Sequence, residues 1–158
     1  LKPFWDNAVL LLGTGLGIGW IPVAPGTFGT LWGLPLVWGI QQFPWPIQCL
    51  AIVGLFMIGI PICGRSAKLM GTDDPGGVVF DEIAAMPIVF LVTPLTWATA
   101  VFGFLWFRVF DILKPPPASR LEKMHGGLGI MADDSMAGIY AAVALWATAK
   151  IWGLETLV

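Results

Sequence analysis

Two adjacent carboxylate pairs, Asp81-Glu82 and Asp133-Asp134, stand beside apolar stretches of this 158-residue chain. Charge set against apolar helix-forming sequence is costly, and where it is kept it usually serves a function. Neighbouring acids repel, and a divalent cation is the simplest way to hold several of them ionised together. Oxygen-only ligation suits Mg²⁺, which binds few carboxylates and keeps water and phosphate in its shell. Asp74 and Asp111 add acids to the same regions. The plainer reading is that these residues cap helices or carry interfacial charge.

Basic residues are interleaved with the acids. Arg108 and Asp111 share a helix face at i, i+3, and Lys114 follows a turn later. Arginine suits bidentate phosphate contact. Lys114 reads either as a second phosphate contact or as a snorkelling interfacial anchor. His125-Gly126-Gly127-Leu128-Gly129 precedes Asp133-Asp134. Glycine-rich backbone ahead of a helix can present N–H groups to an anion, and it serves equally well as a flexible connection. His125 is the single imidazole of the chain, either a proton donor or a surface residue. The stretch Ala24-Pro25-Gly26-Thr27 is either a further phosphate contact, through Thr27, or a turn at a membrane surface.

For phosphoryl chemistry several routes are closed. The sequence has no Cys-x5-Arg, no Asp-x-Asp, no histidine pair and no G-x-x-x-x-G-K-[ST] loop. Metal-assisted attack by water or attack by a carboxylate remains.

Composition says what must carry these groups. Hydrophobic residues make up 57% of the chain and charged residues 11%, with a mean hydropathy of +0.83. A soluble domain carries about 25% charged residues, so lipid must cover part of this surface. Nine Trp and ten Phe agree, since Trp favours the membrane–water interface. The net charge of −2 without a basic run argues against nucleic acid as a partner. Cys49 and Cys63 read as small buried hydrophobes. No basic n-region or small-residue cleavage site is seen at the start, so no signal peptide is expected. Nothing in the sequence sets an oligomeric state.

The length fits one domain, residues 1–158. Apolar segments are expected over residues 5–19, 31–42 and 47–64, separated by a Gly/Pro loop at 20–30 and a turn at 43–46 (F-P-W-P). A polar block follows up to Glu82. Apolar stretches 83–92 and 97–107 are divided by T-P-L-T at 93–96, a second polar block reaches Asp134, and a last Ala-rich helix covers 135–152. Six of the eight basic residues lie in the two polar blocks, so the positive-inside rule puts both on the cytoplasmic side. A hairpin at 93–96 returns the chain to that side. Residues 83–92, as a helix, reach only about 15 Å, half of a hydrocarbon core of about 30 Å. That hairpin is therefore re-entrant, or its helices extend into the neighbouring blocks. The expected fold class is all-α: an integral membrane helical domain of short hairpins with one polar cytoplasmic face.

Four stretches resemble phosphatidylglycerophosphatase A: A-P-G-T-F-G-T at 24–30, D-P-x-x-V-V-F-D-E at 74–82, F-R-x-F-D-x-x-K-P-x-P at 107–117 and H-G-G-x-G-I-M-x-D-D-x-x-A-G at 125–138. They stand in the family's order and span nearly the whole chain. After the first acid pair the family tends to have glycine and a bulky residue, whereas this chain has Ala84-Ala85-Met86-Pro87. The resemblance implies a Mg²⁺-dependent bacterial membrane phosphatase that releases the terminal phosphate of phosphatidylglycerophosphate. It points to Asp74, Asp81, Glu82, Arg108, Asp111, Lys114, His125, Asp133 and Asp134, with Lys68 also fitting, and does not divide the labour among the acids. On the chemistry above, Asp74, Asp81, Glu82, Asp133 and Asp134 are expected as metal ligands, with Asp81, Asp134 and His125 as catalytic groups. Lys68, Arg108, Lys114 and Thr27 would meet the substrate phosphate, supported by Asp111, Gly126 and Gly127. The expected setting is the inner membrane with the active face cytoplasmic and membrane lipids as neighbours. Asp73 and Glu155 are expected to lie outside the site. The alternative from another class is a transporter or channel that uses the clustered acids for protons or cations; it calls for acids in mid-span or for inverted repeats, and neither is evident.

Overall fold

Proline, glycine and the apolar runs divide the chain into helices that pair through small residues. In a computed structural model the described residues, 2–154, form seven α-helices and one short 3-10 turn, with no strand among them. Glu155 lies outside the described residues. The helices are α1 (Lys2–Gly13), α2 (Pro25–Ile40), α3 (Trp45–Met70), α4 (Phe80–Val89), α5 (Trp97–Leu113), α6 (Ala118–Leu121) and α7 (Gly127–Trp152), with the 3-10 turn at Ile18–Trp20.

Several boundaries differ from the sequence expectation, each for a local reason. The loop at 20–30 is shorter than expected: Pro25 is in the first turn of α2, where its missing N–H is not needed. The turn at 43–46 gives way to α3 at Trp45, with Pro46 likewise in the first turn. α3 continues past residue 64, through Arg65 and Lys68, until Gly71 ends it in the left-handed conformation. The final helix starts at Gly127, eight residues before the expected 135, so Asp133 and Asp134 sit inside α7 and not ahead of it. Two glycines and two acids in that stretch conceal a helix that tertiary packing imposes.

α4 is the hub. Residues Ile83 to Pro87 and Val89 are buried, between α2, α7 and α3. α2 runs alongside α4 in the same direction: Gly26 lies on Glu82, Gly33 on Met86, and Gln41 reaches the segment after α4. A Cβ at Gly33 would also press on the Ile83 carbonyl, which has lost its helical donor because Pro87 has no N–H. On the other side Gly138 of α7 meets the Ala85 carbonyl and Ile88. Ala84-Ala85, the departure from the family's usual residues, thus fills a narrow crossing with small side chains.

α7 also binds α3 and α5. Gly127 lies on Ile60 O and Gly64 N of α3, and Gly59 on Met131. Trp106 Nε1 donates to Thr148 Oγ1 at 3.0 Å, and the Phe102–Trp152 rings pack edge-on. Two cores result: Val37, Met86, Phe90, Phe107, Ala141 and Leu145 among α2, α4, α5 and α7, and Cys63, Ala67, Ala84 and Met131 among α3, α4 and α7. Cys63 is buried as expected, while Cys49 is only half-buried.

Between α4 and α5 the segment 90–96 reverses the chain. Gln41 Nε2 donates to Phe90 O (2.9 Å) and Thr93 O (3.1 Å), and Leu95 N donates to Gln41 Oε1 (2.9 Å). Thr96 then caps α5 through a reciprocal bond with Thr99.

α3 and α7 are each 26 residues long, apolar enough and, at about 39 Å, long enough to cross a membrane. The outward faces carry Leu50, Val53 and Met57 of α3, Val101 and Leu105 of α5, and Val143 and Trp146 of α7, all exposed.

Gly127→Ala sets a side chain against α3 backbone and should cost about 1–3 kcal/mol by overpacking. Gly54→Ala, where a Cβ meets nothing within 4 Å, should instead be neutral or gain up to about 1 kcal/mol. Thermal unfolding of both variants in one detergent checks the contrast.

Candidate active site

The carboxylates meet because three helices bring them to one place. Asp81 and Glu82 occupy the first turn of α4, where the helix dipole favours negative charge. The start of α4 is held by Val79 N, which donates to Gly13 O at 2.9 Å. Asp133 and Asp134 project from the second turn of α7. One oxygen each of Asp81, Glu82 and Asp134 lies within 4.8 Å of the others. α2 closes this group from above, since Gly26 and Gly29 have no side chain where Glu82 and Val79 stand.

Asp81, Asp133 and Asp134 are buried, at 7%, 4% and 4% exposure. Asp81 Oδ1, Glu82 Oε2, Asp133 Oδ1 and Asp134 Oδ2 are inaccessible to solvent and have no hydrogen-bond partner. Buried oxygens of this kind are rarely left unpaired. Burial, and next the charge of Glu82, push the Asp81 carboxyl well above the usual carboxylate range, with Asp133 and Asp74 adding to the effect. Burial first, then Asp134 and Asp111, raise Glu82 in the same way, against the opposing pull of Arg108. The donor set is oxygen-only, compact and short of positive charge, which fits a small hard divalent cation.

Two cations border the acids. Arg108 Nη1 bonds Asp111 Oδ2 at 2.5 Å and stands 3.9 Å from Glu82 Oε1. Lys114, left-handed at the end of α5, bonds Asp133 Oδ2 at 2.6 Å and Glu122 Oε1 at 2.9 Å. Burial works against its ammonium, but the bonds to Asp133 and Glu122 and their charges outweigh this and push the lysine upward.

Beside the buried group lies a cleft of about 140 Å³ lined by Asp73, Asp74, Glu122, His125, Gly126 and Asp133, among others. Asp74 and His125, from the two polar blocks, therefore face one space. Both are exposed, and Asp133 links the cleft to the carboxylates behind it. Thr27 is half-buried in the first turn of α2, next to the glycine on Glu82 and Arg108. Lys68 is exposed on the last turn of α3 and does not line the cleft. Gly126 supplies a φ of 73° at the start of α7, whereas Gly127 serves the α3 crossing.

Two residues fall differently from the sequence expectation. Asp73, expected outside the site, lines the cleft. Glu122, singled out by no motif, is a direct partner of Lys114; the proline run at 115–117 stands between them, so no single helix relates the two.

The sequence profile described as Phosphatidylglycerophosphatase A matches residues 11–149. Phosphatidylglycerophosphatase A of Escherichia coli (strain K12) is 36% identical over 154 residues, covering 96% of this chain and 90% of the relative. The protein of that name from Haemophilus influenzae is 38% identical over 150 residues, 89% of this chain and 88% of its own. A third relative, from Bacteroides thetaiotaomicron, is also 38% identical over 150 residues, 87% of this chain and 93% of its own, and carries a provisional phosphatidylinositol-3-phosphatase name. No solved structure matches the chain. With the acids of three helices meeting at one site and relatives matched along most of their length, the chain belongs to the phosphatidylglycerophosphatase A family and is a phosphatase acting on a phosphate monoester.

Proposed function

We propose that this enzyme hydrolyses phosphatidylglycerophosphate to phosphatidylglycerol and inorganic phosphate, with Mg²⁺ as cofactor, at the cytoplasmic face of a bacterial inner membrane. The carrying observation is the set of buried, unpartnered oxygens on Asp81, Glu82, Asp133 and Asp134. Asp81, Glu82 and Asp134 would hold the ion, with Asp133 and Asp74 on its cleft side. When bound, Mg²⁺ neutralises phosphate oxygens and lowers the pKa of a coordinated water.

The chain's own residues supply the rest. Arg108 and Lys114 offer N–H donors to the phosphate, and the first turn of α2, with Thr27, adds backbone amides and a hydroxyl. Asp81 or Asp134 takes the proton of the attacking water. His125, exposed in the cleft wall, gives a proton to the departing glycerol oxygen. Lys68, outside the cleft, draws anionic headgroups toward it by charge alone. Phosphoryl transfer rests on such positioning and charge stabilisation. Family membership stands against the transporter alternative.

For the membrane, α3 and α7 would cross it in opposite directions. α4, ten residues long, would enter about halfway. The clamp from Gln41 favours this re-entrant placement, because irregular backbone at hydrocarbon depth needs its polar groups satisfied within the protein. The acyl chains then stay in the leaflet while the headgroup reaches the cleft.

EDTA should abolish phosphate release from phosphatidylglycerophosphate, and added Mg²⁺ should restore it; full turnover in a metal-free preparation would remove the ion from the reaction. Asp81→Asn and Asp134→Asn keep shape but lose charge, and each should cost about 10²-fold or more in kcat, roughly 3 kcal/mol. Asp6→Asn, whose partner is Arg65, should stay near the parent, and comparable losses in all three would point to folding in place of chemistry. Single cysteines placed at 73 and 120, with Cys49 and Cys63 replaced, should both react from the cytoplasmic side of oriented vesicles. Labelling from opposite sides would refute the re-entrant α4.

A further inference from the structure

Four carboxylates contact Arg108 and Lys114, and they are not alike. The side chains of Glu82, Asp111 and Asp133 are 13%, 13% and 5% exposed, whereas that of Glu122 is 44% exposed. The first three belong to the packed helices α4, α5 and α7. Glu122 comes from the short segment after α6 and lines the cleft itself, together with Asp74, His125 and Asp133. Lys114 Nζ is therefore held on one side by a buried anion, Asp133 Oδ2 at 2.6 Å, and on the other by an exposed one, Glu122 Oε1 at 2.9 Å.

An ammonium has three donors and no acceptor. The bond to Asp133 fixes where the ammonium sits, and the bond to Glu122 ties it to an exposed carboxylate of the cleft wall, so that Lys114 stands behind its two partners and meets the cleft only when Glu122 moves aside. An exposed ion pair is weak, because water and mobile side chains compete with it. Glu122 can leave Lys114 at small cost; Asp133 cannot, since it would leave a buried charge unpaired.

We propose that the Glu122 carboxylate is an internal stand-in for the substrate's phosphate: it holds the Lys114 ammonium when the cleft is empty and is displaced by the phosphate monoester. Glu122 thereby sets the affinity for phosphate, disfavouring retention of the inorganic phosphate product while the lipid substrate, with its acyl chains in the leaflet, still binds. This rests on the assignment of Lys114 to the phosphate made above. The Asp133 bond keeps the ammonium in place during the exchange, so Asp133 acts on the phosphate through Lys114 as a positioning residue.

The test is steady-state hydrolysis of phosphatidylglycerophosphate in detergent micelles with saturating Mg²⁺, with inorganic phosphate as competitive inhibitor. Glu122→Gln should lower both KM and the inhibition constant for phosphate by about two- to fivefold, the range that losing an exposed ion pair spans, with a smaller change in kcat. Lys114→Met should raise both constants by about tenfold, and adding Glu122→Gln to it should then change nothing further. If Lys114→Met raises both constants but Glu122→Gln leaves them unchanged or raises them, the stand-in role is overturned and Lys114 keeps its place. If Lys114→Met leaves them unchanged, the phosphate assignment of Lys114 falls, and the stand-in role with it. Thermal unfolding of each variant distinguishes a loosened cleft wall, which would lower the unfolding temperature and raise KM.

Discussion

Burying like charges together is the constraint around which this molecule is arranged. At an effective dielectric constant of about 20, two unit charges 4.8 Å apart repel by about 3–4 kcal/mol. Three such charges, on Asp81, Glu82 and Asp134, would together cost about 10 kcal/mol, comparable to the entire stability of a typical domain, about 5–15 kcal/mol. They cannot all be ionised in the bare protein. Either protons or a cation must sit among them, and buried oxygens of all three have no hydrogen-bond partner within the protein. Arg108 relieves only part of the load, because its short contact is to Asp111 and Glu82 lies at 3.9 Å.

The same constraint explains why the helices carry so little side chain where they cross. For oxygens on α4 and α7 to approach within a few ångströms, the backbones must come close. Ala84 and Ala85 on one side and Gly138 on the other permit it, while Gly26 and Gly29 let α2 lie directly over Glu82. Between apolar helices in lipid the usual gain from burying hydrophobic surface is absent, and close packing of small residues takes its place. Site geometry and bundle stability thus depend on the same glycines and alanines.

Much of this could be read from the sequence. The acid pairs, the cationic residues between them and the proline breaks reflect local chemistry, and local chemistry is legible. The order of apolar segments also survives, because lipid demands long runs without charge. What could not be read depends on contacts between distant elements. Nothing local marks Gly127 as the start of α7: two glycines and two aspartates in its first turns argue against a helix there, and the crossing on Ile60 and Gly64 explains it. Asp73 lies next to a motif acid but faces the same cleft as His125, more than fifty residues away, which no spacing rule reveals. Glu122 pairs with Lys114 across a run of prolines, where helical and strand periods both lapse. Gln41, an ordinary polar residue at the end of an apolar helix, satisfies three backbone groups of a segment some fifty residues on.

The sign of the charge around the cleft leads to a further step. A phosphate monoester is an anion, and the walls it must approach carry Asp73, Asp74, Glu122 and Asp133, with the carboxylates of α4 behind them. Arg108 and Lys114 are already paired with carboxylates, and Lys123 is a further cation of the wall. Four carboxylates against Lys123 leave the wall negative, which opposes an incoming anion; on the proposed mechanism, added positive charge would serve binding as well as reaction. Magnesium at the buried oxygens would change the sign at one stroke. It would free Arg108 from Glu82 and leave the rest of its guanidinium, still held by Asp111, for the phosphate, which would make the metal and the substrate mutually dependent ligands. A lipid held in the leaflet has a high local concentration and can tolerate this dependence, while a free phosphate ion in solution has no such advantage. On that reading the acidity of the cleft would favour hydrolysis of a membrane-anchored phosphate over capture of phosphate from solution.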